Sequence, residues 1–247
     1  VSGNLEGKVV VVTGASGDIG REVALAAAEE GARVVATYNS GNERASKLAE
    51  EARSRNLSIR AMKLDVSDER GVKEFFDEVA ADQGRIDALV NVAGHSKRET
   101  WFSGLDGLDS EKWLAVLRVD LLGTFFCCRE AARHMAGGSI VNFSSAAAVT
   151  GHTEGVPYTA AKAAVIGLTK SLAAILGPKV RVNALAPGNI DAGSIAWYDE
   201  SGRSAMVGEA ALKRLGTARE VAQVVVFLAS EKASFITGQV LLVDGGI

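Results

Sequence analysis

Seven short runs rich in Val, Ile and Leu, at 8–13, 32–38, 58–65, 87–92, 138–144, 179–185 and 239–243, alternate with stretches of helical periodicity. The helical stretches fall near 18–30, 42–56, 68–83, 110–135, 157–177 and 218–230. The first run is Lys8-Val9-Val10-Val11-Val12. A strand that is apolar at successive positions has no face to offer water, so both of its faces must be covered. Strands of this kind separated by helices predict an α/β fold: a doubly wound, parallel, seven-stranded sheet with a layer of helices on each side, three layers αβα in all. The chain has 247 residues, of which 47% are hydrophobic, enough for one substantial core and hence a single domain.

Composition narrows the function. Twenty-seven basic and 30 acidic residues are dispersed along the chain without a basic block, so nucleic acid finds no electrostatic footprint. The longest apolar runs, such as Val224–Ala229, fall far short of the roughly 20 residues that cross a bilayer, so no membrane partner is expected. The two cysteines, Cys127 and Cys128, are adjacent. They lack metal-ligand spacing and suit buried thiols in a reducing, cytoplasmic setting. His95, His134 and His152 are scattered, and no metal site is expected.

In a doubly wound sheet, ligands lie at the carboxyl ends of the strands where strand order reverses, and the turn after the first strand receives phosphate. That turn reads VTGASGDIG, residues 12–20. Glycine lets the backbone approach a phosphate closely, and the following helix offers unpaired N–H groups and the positive end of its dipole. Gly14, Ser16, Gly17, Asp18 and Ile19 are therefore candidate cofactor contacts. Asp18 is the anomaly, since a carboxylate is an odd neighbour for phosphate; we expect it to point to solvent, at a helix start that suits an acid. The second strand ends Tyr38-Asn39-Ser40 without the acid that commonly bonds the ribose 2′-hydroxyl of NAD. Asn39, Ser40 and Arg44 could instead receive a 2′-phosphate, so NADP(H) is favoured over NAD(H).

Tyr158 and Lys162, in YTAAK, have i,i+4 spacing and share one helical face. A unit charge about 4 Å from a phenol, at an effective dielectric of about 20, is worth about 4 kcal/mol toward the phenolate. Such a tyrosine can exchange a proton with an alcohol or a ketone. Ser145, at the end of a strand thirteen residues earlier, could hydrogen-bond the same substrate oxygen. The long segment 191–213 breaks the strand–helix rhythm and is expected to be a substrate lid.

With these motifs in order and spaced as they are, the chain resembles the short-chain dehydrogenase/reductase family along nearly its whole length, a Rossmann-type fold. The resemblance rests on TGASGDIG, LDV at 64–66, NVAG at 91–94, the Ser145/Tyr158/Lys162 set, PG at 187–188 and a tail similar to that of 3-oxoacyl-carrier-protein-reductase-like members. It implies that Tyr158 is the acid or base, that Lys162 supports it and bonds the nicotinamide ribose, and that Ser145 orients the carbonyl. It also implies that Asp65 and Val66 flank the adenine, that Asn91, Ala93 and Gly94 line the middle of the cofactor, and that Pro187, Gly188 and Ile190 lie beside the nicotinamide. Members often form tetramers through the helices near 110–135 and 157–177, so a homotetramer or homodimer is expected.

Four positions depart from the family pattern: Asp18 and Ala192 stand for Gly and Thr, Val92 for Asn, and Asp120 for the Asn that holds a relay water. Asp120 weighs most, because a carboxylate cannot donate a hydrogen bond unless protonated and its charge can pair with Lys162 and blunt the effect of the lysine on Tyr158; activity is still expected, since Ser145, Tyr158 and Lys162 are all present. Three readings stay open: an NADPH-dependent reductase of a ketone or β-keto compound, an NAD(P)-dependent alcohol or sugar dehydrogenase, and a nucleotide-binding subunit without turnover. In each the small-molecule partner is unnamed.

Overall fold

The computed structural model of the protein describes residues 3–95 and 97–247. The first half of the chain runs β1 (Val9–Thr13), α1 (Asp18–Glu29), β2 (Arg33–Tyr38), α2 (Asn42–Ser54), β3 (Ile59–Lys63), α3 (Glu69–Gln83), β4 (Ala88–Asn91), a one-turn α4 (Arg98–Trp101) and α5 (Ser110–Leu117). A π-helical stretch, Arg118–Gly123, leads without a break into α6 (Thr124–His134). Then follow β5 (Gly138–Phe143), the short α7 (Ala147–Thr150), α8 (Val156–Leu176), β6 (Val180–Pro187), α9 (Glu200–Glu209), α10 (Ala218–Ala229) and β7 (Val240–Val243).

All seven strands join one parallel sheet in the order β3-β2-β1-β4-β5-β6-β7, the architecture expected from the alternation. β1 is buried at all five positions, so its valines are anchored from both sides. Val10 and Val12 face a core cluster with α1 and α10 (Val23, Leu25, Val221, Leu228). Val11 faces the opposite cluster, with α3, α6 and α8 (Val72, Phe76, Cys128, Leu172). Successive side chains of a strand point to opposite faces, which is why one apolar run feeds two cores. Burial also accounts for the cysteines: both are fully enclosed, and burial pushes the Cys128 thiol up to about 12.

The chain leaves β1 in one direction to build β2 and β3, then crosses back to place β4 on the other side of β1. That reversal opens a crevice at the carboxyl ends of β1 and β4. Helix ends nearby are well terminated. Thr217 and Glu220 form a reciprocal capping box on α10. The Arg181 guanidinium accounts for the other end of α10, donating to the carbonyls of Leu228 and Ser230.

Two segments carry more structure than the sequence showed. The helix expected over 110–135 is helical throughout but carries the π stretch at 118–123. One extra residue per turn leaves no trace in an apolar periodicity, and such bulges occur often at functional sites. The segment 191–213, expected as a lid, holds a 3₁₀ turn, Gly193–Trp197, and then α9, a refinement of its local structure rather than of that expectation. α8 is long and apolar enough to cross a membrane by composition alone, yet it packs against the sheet through Val165, Leu172 and Ala173 and buries Lys162.

Candidate active site

The crevice at the strand reversal is a cleft of about 690 Å³, running from Asn39 and Ser40 at one end to Tyr158 and the 193–198 turn at the other. Its floor at the first end is the turn after β1. Gly14 has φ +69°, and a Cβ there would lie 2.7 Å from the Ala93 backbone, so only glycine fits. Thr13 Oγ1 accepts from the Ala93 amide at 3.2 Å, tying the β1 turn to the β4 turn. The N-cap of α1 is Gly17, which offers no side-chain acceptor, so the first-turn N–H groups meet the cleft uncapped. An uncapped helix start under a continuous open groove fits the diphosphate of a dinucleotide.

Asp18 is 43% exposed, as expected of a solvent-facing acid, but its carboxylate is not free. Its carboxylate accepts from the Gly193 amide at 2.8 Å and pairs with Arg44 at 3.3 Å. It thus ties the glycine turn to the 193–197 turn across the mouth of the cleft. Arg44 is correspondingly committed: it also donates to the Ser16 carbonyl at 3.2 Å and does not line the cleft. At the same end, hydrogen bonds from Ser67 hold the Asp65 carboxyl below its usual range against a partial burial penalty, with Asn39 adding to the effect. Asn91 too lies off the cleft wall. It is buried and donates to Asn142 at 2.9 Å, bracing β4 against β5 beneath the site.

The remaining residues singled out in the sequence come together. Gly14, Ser16, Gly17, Asp18, Ile19, Asn39, Ser40, Asp65, Val66, Ala93, Gly94, Asp120, Ser145, Tyr158, Lys162, Pro187, Gly188 and Ile190 all line the cleft. Their chemistry centres on α8. Tyr158 and Lys162 lie one turn apart on its inward face, with Lys162 Nζ 5.5 Å from the Tyr158 ring centroid. The Ser144 hydroxyl donates to the Lys162 carbonyl at 2.9 Å, which locks the end of β5, and with it Ser145, against that turn. The π stretch brings Asp120 in from behind: its Oδ1 is 3.0 Å from Lys162 Nζ, and its Oδ2 accepts from the His95 amide at 2.7 Å. Both side chains of this ion pair are buried. Burial penalises the Lys162 ammonium, but the Asp120 charge and Tyr158 outweigh it and hold the lysine above its ordinary range. The pairing of Asp120 with Lys162 anticipated from the sequence is therefore present.

The opposite wall is aromatic; Trp197, Tyr198 and Met206 of the expected lid, which already suggested an apolar or aromatic ligand, are joined there by Trp101 and Thr100, which escaped the sequence analysis. His95 lines the cleft as well. Trp101 sits 5.3 Å from Tyr158, centroid to centroid. His152 is exposed, lies 5.4 Å from Trp101 and lines the cleft. Burial holds the His95 imidazole below its usual range, and among the described residues its buried Nε2 has no partner. Nothing in the periodicity marks Trp101: it lies on a four-residue helix too short to show a pattern.

Comparison with known proteins agrees with this geometry. A family model described as enoyl-(acyl carrier protein) reductase matches residues 14–247. The 3-oxoacyl-[acyl-carrier-protein] reductase FabG of Thermotoga maritima is 39% identical, with 98% of each chain covered. The chain belongs to the short-chain dehydrogenase/reductase family. The cis-4-hydroxycyclohexanecarboxylate dehydrogenase of Sinomonas cyclohexanicum is 38% identical over 97% of this chain and 96% of that one. Among solved structures, gox2181 superimposes with a TM-score of 0.91 at 31% identity, covering 98% of this chain and 95% of the other. As a member of the family, the chain is an NAD(P)-dependent oxidoreductase acting on hydroxyl and carbonyl groups.

Proposed function

We propose that this enzyme reduces a ketone or β-keto compound with NADPH, and that Tyr158 is the general acid. The observation that carries this reading is the line Asp120–Lys162–Tyr158, a buried ion pair leading to a half-buried tyrosine in the cleft beside Ser145. When bound, the reduced nicotinamide supplies hydride to the carbonyl carbon. Ser145 donates a hydrogen bond to the carbonyl oxygen and fixes its position. Tyr158 gives its hydroxyl proton to that oxygen as charge develops on it. Lys162 stabilises the phenolate left behind, and Asp120 keeps Lys162 charged and aimed. In the opposite direction the same groups run in reverse, with Tyr158 as base.

Support for NADPH comes from the end of β2, where Asn39 and Ser40 line the cleft with no carboxylate among them. Arg44 is one turn into α2 beyond them, and a 2′-phosphate would compete with Asp18 for its guanidinium. Gly14, Ser16, Gly17 and Ile19 would hold the diphosphate, while Pro187, Gly188 and Ile190 would back the nicotinamide. Ser194 lines the cleft beside Ala192 and could supply the hydroxyl that Ala192 lacks. For assembly, the outward side of α8 presents Ala160, Ala163, Ala164 and Gly167, and Leu114 of α5 is exposed beside it. These small and apolar surfaces suit a homodimer or homotetramer, which sedimentation of the purified protein would reveal.

The deciding experiment titrates NADPH and NADH side by side and then follows cofactor oxidation across a ketone panel. Tighter NADPH binding with turnover supports the reading. Turnover with NADH alone would replace the cofactor assignment and leave the chemistry standing. Binding without oxidation on any ketone, combined with reduction of NADP⁺ by alcohols, would favour the dehydrogenase direction.

A further inference from the structure

Two buried hydrogen bonds fix where α8 sits along β5. Near the reacting turn the buried apolar side chains of α8 are small: Pro157, Ala161 and Val165. Apolar burial is non-directional, so a face of this kind does little to hold a helix along its own axis. Directional bonds supply that hold. Just past the end of β5, Ser144 Oγ donates to the Lys162 carbonyl at 2.9 Å. Two residues earlier, Asn142 Nδ2 donates to Thr169 Oγ1 at 3.1 Å. Side chains two apart on a strand share a face, and Lys162 and Thr169 lie about two helical turns apart. The bonds are therefore two rungs between one strand and one helix. All four residues are buried, Asn142 and Thr169 completely.

Each rung is anchored on its strand side. Asn142 Oδ1 accepts from Asn91 Nδ2 at 2.9 Å and from Cys128 Sγ at 3.3 Å, which ties the lower rung to β4 and α6. The Ser144 amide donates to the Leu185 carbonyl at 2.7 Å, and the Ala146 amide to the Pro187 carbonyl at 2.9 Å. Ser145 is thus fastened to β6 on both sides and moves with the sheet. Tyr158 moves with α8. What relates the two is the register of that helix on that strand.

We propose that Ser144 and the Asn142–Thr169 pair are positioning residues, which set the register of α8 on β5 so that Ser145 and Tyr158 reach one substrate oxygen together. The inference rests on the carbonyl-reductase reading above and deepens it. Two donors that share one oxygen tolerate little error in their spacing, and a misplacement of about 1 Å can cost about 100-fold in rate. Lys162 and Tyr158 ride on the same helix, so a slip of α8 leaves their mutual geometry intact and moves both relative to Ser145. The Lys162 carbonyl has two lone pairs, one for its own helix and one for Ser144, so losing the Ser144 hydroxyl frees the register without breaking the helix.

The test follows NADPH oxidation by the whole chain with ethyl acetoacetate, or with whichever ketone of the panel is turned over fastest. Ser144→Ala should lower kcat about tenfold while NADPH affinity stays within about twofold, since the lower rung still limits the slip. Thr169→Val, of nearly the same shape, removes the lower rung and should lower kcat about threefold. The decisive comparison is made in a Ser145→Ala background, where no second donor has a spacing to keep. There Ser144→Ala should cost less than about twofold. The pH at which kcat falls off should be the same in wild type and Ser144→Ala, because Lys162 still stands beside Tyr158. A kcat within about twofold of wild type in both single variants, a loss that persists undiminished in the Ser145→Ala background, or a shifted pH profile overturns the proposal and leaves the reductase reading intact. Wild-type enzyme that binds NADPH but oxidises it with neither ethyl acetoacetate nor any ketone of the panel overturns the reductase reading, and this inference with it.

Discussion

Replacing Lys162 with Met would leave Asp120 as an unpaired charge in a site where its side chain is 0% exposed. The two charges lie 3.0 Å apart. At an effective dielectric of about 20 their attraction is about 5 to 6 kcal/mol, an upper bound because both ions also lose hydration on burial. Removing one partner of a buried pair typically lowers stability by about 3 to 5 kcal/mol, since the other charge is left uncompensated. Asp120→Asn alone should be milder, because the amide oxygen still accepts from the His95 N–H. The double variant should recover part of the loss. Urea unfolding followed by tryptophan fluorescence, at one fixed protein concentration, gives the four corners of the cycle. The expected coupling is about 3 kcal/mol near neutral pH. Lys162 is held above its ordinary range, so this contribution is full below the lysine range and is lost as pH rises through the raised value. A coupling below about 1 kcal/mol would match an exposed ion pair and refute the argument that a buried Asp120 holds Lys162.

Three further outcomes follow from other parts of the fold. Asp18→Asn keeps an acceptor for the Gly193 amide but removes a charge at the cofactor mouth and releases Arg44; NADPH affinity by fluorescence titration should rise severalfold, more than NADH affinity, and the gain should shrink in high salt. Thr217→Ala opens the capping box of α10 and should lower unfolding stability by about 1 kcal/mol. The Glu220 carboxyl in that box is held down to about 2, chiefly by Arg214 and then Thr217, so its contribution is present above the ordinary Glu range and fades as pH falls toward 2; acid titration by circular dichroism should show wild type and Glu220→Gln converging there. Gly155→Ala places a Cβ against the Trp101 indole at a backbone φ of +62°, and should both destabilise the protein and shift tryptophan emission.

The sheet was readable because a buried parallel strand has an unmistakable signature, and β1 with its four valines is the clearest case. The same logic placed the glycine turn and the Tyr158/Lys162 face, which depend on local spacing. What stayed hidden depends on partners distant in sequence. Asp18 looked solvent-bound because its acceptor role toward Gly193 spans 175 residues. Asn91 sits in a motif beside the cleft, but its side chain turns into a buried network with Asn142 and Cys128. Trp101 joins the reacting centre only because Gly155 lacks a side chain and Glu154 and Tyr198 converge on the indole. The π stretch that delivers Asp120 differs from an ordinary helix by a single extra residue in its turn.

The central claim is that Tyr158 transfers the proton while the rest of the cleft binds, and Tyr158→Phe tests it most directly. The substitution removes one hydroxyl and keeps the ring that packs against Trp101. NADPH affinity measured by titration should stay within about twofold of wild type, while turnover of an accepted ketone falls by roughly 10²–10⁴-fold, the range expected for a lost general acid. Turnover within tenfold of wild type, with NADPH still bound, would contradict the account and move the proton donor elsewhere in the cleft.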